Sequence, residues 1–200
     1  MTLYDFAKGL IWIVGRTLWR LRAYGTENVP MTGPLVVACN HVSNLDPPLM
    51  GSCCPRRISY MAKKELFAIP VLGPAIAAVG AYPVDREGSA RAAIKKSLEI
   101  LTAGGCVGIF PEGGRNMHGD KEARTGAALL ASLAHAPVVP VYIGGSGQAA
   151  RLHQIKVAFG KPLWLPQDRK ATREDLAKFT EDVMAAIGAL RESIDGNSQS

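Results

Sequence analysis

The sequence contains no apolar run long enough to cross a membrane. The longest candidate in the N-terminal region is residues 10–14, which lies between two glycines, whereas a membrane-spanning helix needs roughly 20 apolar residues. Charged residues recur through the same region and no small-residue cleavage site follows, so a signal peptide is not predicted. Any contact of this region with a membrane is therefore expected at the membrane surface.

The spacing that metal sites require is also missing. The four cysteines form no C-x-x-C pair, and the histidines other than His41 are scattered along the chain. No metal site is predicted, and the cysteines are expected to be small buried hydrophobes. They are Cys39, Cys53, Cys54 and Cys106.

Long blocks of like charge and RNA-binding motifs are absent as well, which disfavours nucleic acid as a partner. The net charge is nevertheless +6, and residues 1–24 carry four basic residues against one acid. Such a distribution favours anionic lipid or an acidic small substrate. With 200 residues, 48% hydrophobic and 20% charged, the chain is expected to form a single globular domain.

The N-terminal region predicts an amphipathic helix over residues 3–22. Its apolar stripe recurs every three or four positions and comprises Leu3, Phe6, Leu10, Val14, Leu18 and Leu21. The opposite face gathers Lys8, Trp12, Arg16 and Trp19, a mixture that suits a phospholipid headgroup layer. Alternatively the helix packs on the domain with its tryptophans partly buried. Both can hold if one face packs and the other meets lipid.

After this helix, apolar strand patterns alternate with helical ones, which predicts an α/β fold with a mostly parallel or mixed sheet flanked by helices. Strands are predicted at 35–39, 58–62, 82–84, 106–110, 138–143 and 155–159, and helices near 46, over 89–101 and 122–135, and from 172, with short helical pieces in 66–79. We expect residues 1–24 to form a membrane-surface helix, 25–194 a catalytic domain and 195–200 a flexible tail. Ligands in such folds bind beyond the carboxyl ends of the strands.

A histidine and an aspartate follow the first predicted buried strand, with four residues between them. The Asp46 carboxylate can hold one ring nitrogen of His41 and leave the other free to accept a proton. This is the base that a hydroxyl needs when it attacks a thioester. Asp46 could instead be only the N-cap of a helix that begins at the two prolines, with His41 an ordinary loop residue.

Three further segments carry candidate binding residues. In residues 110–115, two glycines let the backbone approach an anion, Arg115 can grip a phosphate and Glu112 can accept from a hydroxyl. The second segment, residues 80–86, contains Arg86 as a second candidate binding arginine. In the third, Pro140 interrupts an otherwise good strand, which indicates a sheet edge or a position shaped for a ligand. The alternative for residues 110–115 is a glycine-rich turn with a surface ion pair, and the alternative for Arg86 is a solvated arginine.

Together these segments resemble the four motifs of the glycerolipid acyltransferase family. They are Asn40-His41-x4-Asp46, Gly80-x5-Arg86, Glu112-Gly113-Gly114-Arg115 and Val139-Pro140-Val141, and residues 62–73 resemble the stretch between the first two. The resemblance spans about residues 25–162. One departure is Gly114, where the family usually has threonine or serine.

The resemblance implies an acyltransferase domain with a catalytic His41–Asp46 dyad and Lys63 near the reaction centre. It also implies that the substrates are bound by Asn40, Arg86, Glu112, Gly113, Gly114, Arg115 and Pro140. The expected reaction moves a fatty acyl group from acyl-CoA or acyl carrier protein to lysophosphatidic acid, giving phosphatidic acid without a further cofactor. The expected location is peripheral, on anionic phospholipid at the cytoplasmic face of the cell membrane. Another acceptor, such as glycerol 3-phosphate or another lysolipid, and a non-catalytic lipid-binding relic are the alternatives.

Overall fold

The computed structural model describes residues 2–84, 90–117, 120–166 and 169–196, which form one sheet covered by helices. The strands are β1 (Arg22–Tyr24), β2 (Leu35–Cys39), β3 (Ile58–Lys63), β4 (Ala81–Val84), β5 (Cys106–Ile109), β6 (Val138–Gly144) and β7 (Lys156–Phe159). The helices are α1 (Leu3–Trp19), α2 (Asp46–Cys53), α3 (Lys64–Phe67), α4 (Leu72–Ala78), α5 (Ala90–Thr102), α6 (Gly126–Ala134) and α7 (Arg173–Gly196). Short 3-10 helices span Thr26–Asn28 and Ser146–Arg151.

The seven strands follow the order β1-β7-β6-β2-β5-β3-β4. Neighbouring strands are parallel except for β6 and β7, which are antiparallel. This topology confirms the predicted α/β class with a mostly parallel, mixed sheet. It places the carboxyl ends of β2 and β5 side by side in the middle of the sheet, and the end of β6 on the other side of β2.

The core lies on both faces of the sheet, which explains why β2 is apolar at every position. Leu35, Val37 and Cys39 belong to the cluster beneath α2, whereas Val36 and Ala38 belong to the cluster beneath α6 and α7. Successive side chains of a strand point to opposite faces. A central strand covered by helices on both sides therefore reads as a continuous apolar run.

The N-terminal helix ends earlier than predicted, at Trp19 rather than at residue 22. Arg20 takes the left-handed conformation with φ 46°, and the amide of Leu21 donates to Gly15 O. The next amide, that of Arg22, donates to Ile155 O and begins the pairing of β1 with β7. The three-residue strand β1 was not predicted, because an arginine, an alanine and a tyrosine carry no apolar periodicity of their own.

Of the two arrangements considered for α1, the structure shows the one in which the tryptophan face packs on the domain. Trp12 and Trp19 pack against the core, and Trp19 Nε1 donates to Ala149 O at 2.8 Å. The ammonium of Lys8 donates to Cys54 O. The face left exposed is the apolar one, with Leu3 at 69%, Phe6 at 56%, Leu10 at 51% and Ile13 at 61% exposure. The tryptophan face therefore holds the helix on the domain, and the apolar face is open.

The last helix extends further than predicted. It begins near the predicted residue 172 with a capping box, in which the Asp175 amide donates to Thr172 Oγ1 and the Thr172 amide donates to Asp175 Oδ2. It continues through Asp195 and Gly196, two residues that were expected in the loose tail, and Tyr142 donates a hydrogen bond to Asp195. Residues 197–200 lie outside the described residues, and so does Arg86. No helix in the described ranges combines the length and the apolar character that a bilayer crossing requires.

Candidate active site

The predicted site residues meet at the carboxyl ends of three adjacent strands. His41 follows β2, Glu112 follows β5, and Ile143 lies near the end of β6. The Glu112 carboxylate accepts a hydrogen bond from the His41 amide, and the Asn40 side chain is hydrogen-bonded to Ile143. The ends of these three strands therefore converge, at the edge of the sheet where ligands bind in such folds.

The Asp46 carboxylate is buried and points at the histidine. Its Oδ2 atom lies 2.9 Å from His41 Nδ1 and accepts from the amides of Val42 and Ser43, both at 2.7 Å. The other oxygen, Oδ1, is buried without a hydrogen-bond partner in the part of the chain described. Asp46 is the first residue of α2, and the cap position is occupied by Leu45. The alternative that Asp46 only caps the helix is therefore wrong.

The imidazole of His41 is held in a defined orientation. One ring face stacks on Phe110, with ring centroids 4.2 Å apart and planes inclined by 26°. Because Nδ1 faces a carboxylate, it carries the proton, and the lone pair lies on Nε2. The side chain is 15% exposed, which leaves the ring accessible. A fixed, partly accessible imidazole with its lone pair on the outer nitrogen has the properties of a general base.

Glu112 holds the main chain of the base. Its Oε2 atom accepts from the His41 amide at 2.8 Å, and its Oε1 atom accepts from Asn116 Nδ2 at 3.2 Å. The residue is buried. Both oxygens are thus engaged within the protein, which gives Glu112 a positioning role beside the predicted substrate contact.

Two cationic side chains that the sequence motifs do not include lie against the glycine-rich turn. Gly113 has φ +68°, and a Cβ atom there would lie 3.1 Å from the guanidinium carbon of Arg124. Lys121 Nζ donates to the main-chain oxygen of Arg115 at 2.6 Å and would lie 3.6 Å from a Cβ at Gly114. Arg115 itself is exposed. The turn therefore presents cationic side chains at the same edge of the sheet as His41.

Asn40 and Pro140 are both tied to β6. The Asn40 side chain donates to Ile143 O at 3.0 Å and accepts from the Ile143 amide at 2.8 Å, so both of its polar atoms are used by the backbone. Pro140 is buried in the middle of β6, where it packs closely on Gly160. Because β6 lies between β7 and β2, the predicted sheet edge at Pro140 is wrong. The proline is tolerated since β7 pairs with β6 only from Val141 onward.

Lys63 ends β3 and is exposed. Since β3 pairs with β5 in parallel, this side chain starts from the same carboxyl edge as Glu112. Of the predicted site residues, the structure joins His41, Asp46 and Glu112 directly by hydrogen bonds. It adds Asn116 to the site. No sequence motif includes this residue, although it directly follows Arg115.

The cysteines do not supply a nucleophile. All four are free and buried, as predicted. Burial raises the pKa of the Cys39 thiol well above its usual range, and the carboxylates of Asp46 and Glu112 add to the increase. Burial also raises the pKa of Cys53 to about 12. Since the thiolate is the reactive form, an acyl-enzyme on either cysteine is disfavoured. Within the described ranges no group of three or more histidine, cysteine, aspartate or glutamate side chains could hold a metal ion.

Comparison with known proteins places the chain in one family. A family model described as Acyltransferase matches residues 20–144. The 1-acyl-sn-glycerol-3-phosphate acyltransferase of Bacillus subtilis is 31% identical over 96% of this chain and 99% of its own length. The protein of that name from Streptococcus pneumoniae is 26% identical over 94% of this chain and 73% of its own. The crystal structure of PlsC from Thermotoga maritima, a 1-acyl-sn-glycerophosphate acyltransferase, has a TM-score of 0.73 at 23% identity, covering 94% of this chain and 80% of that one.

The matched family is one of enzymes that transfer acyl groups. The chain belongs to the acyltransferase family.

Proposed function

We propose that the protein transfers a fatty acyl group from an acyl thioester to the free hydroxyl of lysophosphatidic acid, giving phosphatidic acid. The observation that carries this proposal is the His41–Asp46 pair at the carboxyl edge of the sheet, with Nε2 turned away from the carboxylate. The names of the Bacillus and Streptococcus relatives support the choice of acceptor.

The reaction proceeds in one direct transfer. His41 Nε2 removes the proton of the acceptor hydroxyl while the oxygen attacks the thioester carbonyl, and a C–O bond forms. The tetrahedral intermediate then collapses with cleavage of the C–S bond. The thiolate leaves without a strong acid, since thiols have a pKa near ~8.5, and it takes up the proton held by the imidazolium. No covalent enzyme intermediate is required.

The buried Asp46 carboxylate stabilises the imidazolium that forms during this step. It is fully buried and lies 2.9 Å from Nδ1, so the two charges attract each other with little screening by solvent. The two backbone amides on the same oxygen keep the carboxylate in place whether or not the ring is protonated.

The oxyanion of the intermediate is held by the glycine-rich turn and by Lys63. The amide of Gly113 already donates to Phe110 O at 3.0 Å. The amides of Gly114 and Arg115 carry no such bond to any described residue, and they are the donors we assign to the oxyanion.

The acceptor binds through its phosphate and its acyl chain. Arg115 and Arg86 grip the phosphate, and the chain lies against residues 66–79, where Ile69, Val71 and Leu72 are exposed. The open apolar face of α1 holds the enzyme on anionic phospholipid as a peripheral protein of the cytoplasmic membrane face. The donor is acyl-CoA or acyl carrier protein.

Replacing Arg115 by alanine is expected to raise the KM for lysophosphatidic acid by on the order of tenfold or more. The reason is the loss of a charge-assisted phosphate contact, which is worth ~1.5–3 kcal/mol. Steady-state kinetics with each substrate varied in turn measure the effect. Arg173→Ala is the matched control, because Arg173 is exposed and begins α7 far along the chain from this loop. An increase confined to the KM for acyl-CoA would assign Arg115 to the donor.

A second acceptor is favoured by one observation. Gly114 offers no hydroxyl where the family usually has one, and Lys121 Nζ is the polar group nearest to that position. A smaller phosphate acceptor such as glycerol 3-phosphate would rely on the ammonium instead. Comparing kcat/KM for lysophosphatidic acid, glycerol 3-phosphate and a lysolipid without a free phosphate separates these possibilities, and the first is expected to be highest.

A further inference from the structure

Asn116 is a buried polar residue that follows the glycine-rich turn and makes three hydrogen bonds. Its backbone amide donates to His41 O at 2.6 Å. Its side-chain Nδ2 donates to Glu112 Oε1 at 3.2 Å, and its Oδ1 accepts from the amide of Lys121 at 3.4 Å. The residue is 8% exposed, so it lies within the protein behind the turn.

These bonds close a ring around the main chain of the general base. Glu112 receives the His41 amide, Asn116 binds the other oxygen of Glu112, and the Asn116 amide returns to the His41 carbonyl. Both main-chain polar groups of His41 are thereby fixed by the segment 112–116. The Asp46 carboxylate fixes only the ring and the two following amides.

Asparagine matches this position because one end of its side-chain amide donates hydrogen bonds and the other accepts them. The end that faces Glu112 must donate to a carboxylate, and the end that faces the Lys121 amide must accept. Aspartate has the same shape but no donor when it is ionised. Leucine has the same branching at Cγ but carries methyl groups in place of both polar groups, so it has neither function. This position therefore requires a side chain with one donor and one acceptor.

We propose that Asn116 is a positioning residue for the general base, which it aligns through Glu112 and through the His41 carbonyl. The inference rests on the proposed function in so far as His41 is the base. Because Gly113, Gly114 and Arg115 lie between the two residues that hold His41, the turn that binds the acceptor phosphate and the alignment of the base form one hydrogen-bonded unit.

The kinetic test compares Asn116→Leu and Asn116→Asp with the wild type. Leucine is expected to lower kcat by on the order of 10–100-fold, since misplacing a catalytic group by about 1 Å can cost ~100-fold. The KM for lysophosphatidic acid should change less, since Arg115 is still present. Asn28→Leu is the matched control, because Asn28 donates one hydrogen bond to Phe159 O near β1, far from the site, and its kcat should stay near the wild-type value.

Aspartate at this position provides the conservative variant. Two carboxyl groups at this distance share a proton, because like charges raise the pKa of one of them. The titratable residues bonded to this segment are His41, whose amide donates to Glu112, Lys121, whose amide donates to Asn116, and Asp46, which is bonded to the His41 ring. As the pH falls, the pair takes up this proton, which restores a donor toward Glu112. The kcat of Asn116→Asp should therefore rise relative to that of Asn116→Leu. Equal losses in both variants at every pH would mean a merely structural role and would overturn the proposal.

A measurement without substrate keeps this test separate from the proposed reaction. In the NMR spectrum of the folded protein, the ring signals of His41 are those that disappear in His41→Ala. They should shift in Asn116→Leu and stay unchanged in Asn28→Leu. Unchanged His41 signals together with a kcat within about twofold of wild type would refute the positioning role. If the proposed function itself were wrong, the result would differ, because the wild-type protein would release no thiol when lysophosphatidic acid is added.

Discussion

Replacing Asp46 by asparagine is expected to lower kcat by roughly 10³-fold while the protein stays folded. All three hydrogen bonds to this side chain end on Oδ2. An asparagine whose oxygen takes the Oδ2 position therefore keeps the ring orientation and both amide contacts and removes the charge, while its Nδ2 takes the position of Oδ1. An ion pair at about 4 Å is worth ~4 kcal/mol at an effective dielectric constant of ~20, which corresponds to about a thousandfold in rate.

Two further variants make this prediction specific. Asp46→Ala should be worse in both activity and stability, because the amides of Val42 and Ser43 then lose their buried acceptor at a cost of ~1–3 kcal/mol each. Asp175→Asn is the matched control, since Asp175 also accepts several hydrogen bonds but caps α7 on the surface. The rate constants come from single-turnover acyl transfer, and folding is followed by thermal unfolding. A folded Asp46→Asn enzyme with wild-type kcat would refute the dyad.

Replacing the open apolar face of α1 by serine is expected to abolish binding to anionic vesicles. The four residues are Leu3, Phe6, Leu10 and Ile13, all more than half exposed. Burying a large apolar side chain contributes ~1.5–3 kcal/mol, so even partial burial of four gives a loss on the order of 10³-fold or more in vesicle affinity. Co-sedimentation with vesicles measures it. The stability of the protein should change little, because these side chains do not contribute to its core.

The matched control replaces exposed apolar residues elsewhere. Met31, Leu133 and Trp164 are similarly exposed but belong to other parts of the fold, and changing them to serine should leave vesicle binding unchanged. Trp19→Ala, unlike the serine variant of α1, should lower the thermal stability of the protein. The reason is that the Trp19 indole is hydrogen-bonded to Ala149 and packs on the core. Vesicle binding that persists in the serine variant would place lipid contact on another surface.

The central strands and the dyad could be predicted because their signals are local. The run over residues 35–39 is apolar at every position, and β2 has those bounds. The spacing of His41 and Asp46 allows the chain to turn once and bring the two side chains together, as the 2.9 Å contact confirms. In both cases the residues that decide the structure lie within a few positions of each other.

The faces of α1 could not be assigned from the sequence alone, because each carries apolar residues. Periodicity identifies an apolar stripe, but it does not distinguish a stripe that meets the domain from one that stays open. The side chains of Trp12 and Trp19 pack well against the core, and this tertiary contact determined the orientation. Similarly, α1 ends at Trp19 because Arg22 pairs with a strand more than a hundred residues away.

The positioning roles of two predicted site residues were missed for a related reason. Glu112 binds the amide of a residue 71 positions earlier, and Asn40 binds the backbone 103 positions later. Such contacts depend on the order of strands in the sheet, which no local pattern contains. Motif similarity therefore identified these residues as important and left their roles in positioning His41 to the structure.

The most direct test of the central claim is thiol release from a long-chain acyl-CoA, with and without lysophosphatidic acid, in wild type and in His41→Ala. Because all four cysteines are buried, the native protein should add little to the thiol signal. The wild type is expected to release thiol only with acceptor present, and His41→Ala should be slower by ~10²–10⁴-fold. Equal acceptor-dependent release in both proteins would show that His41 is not the base and would contradict the account.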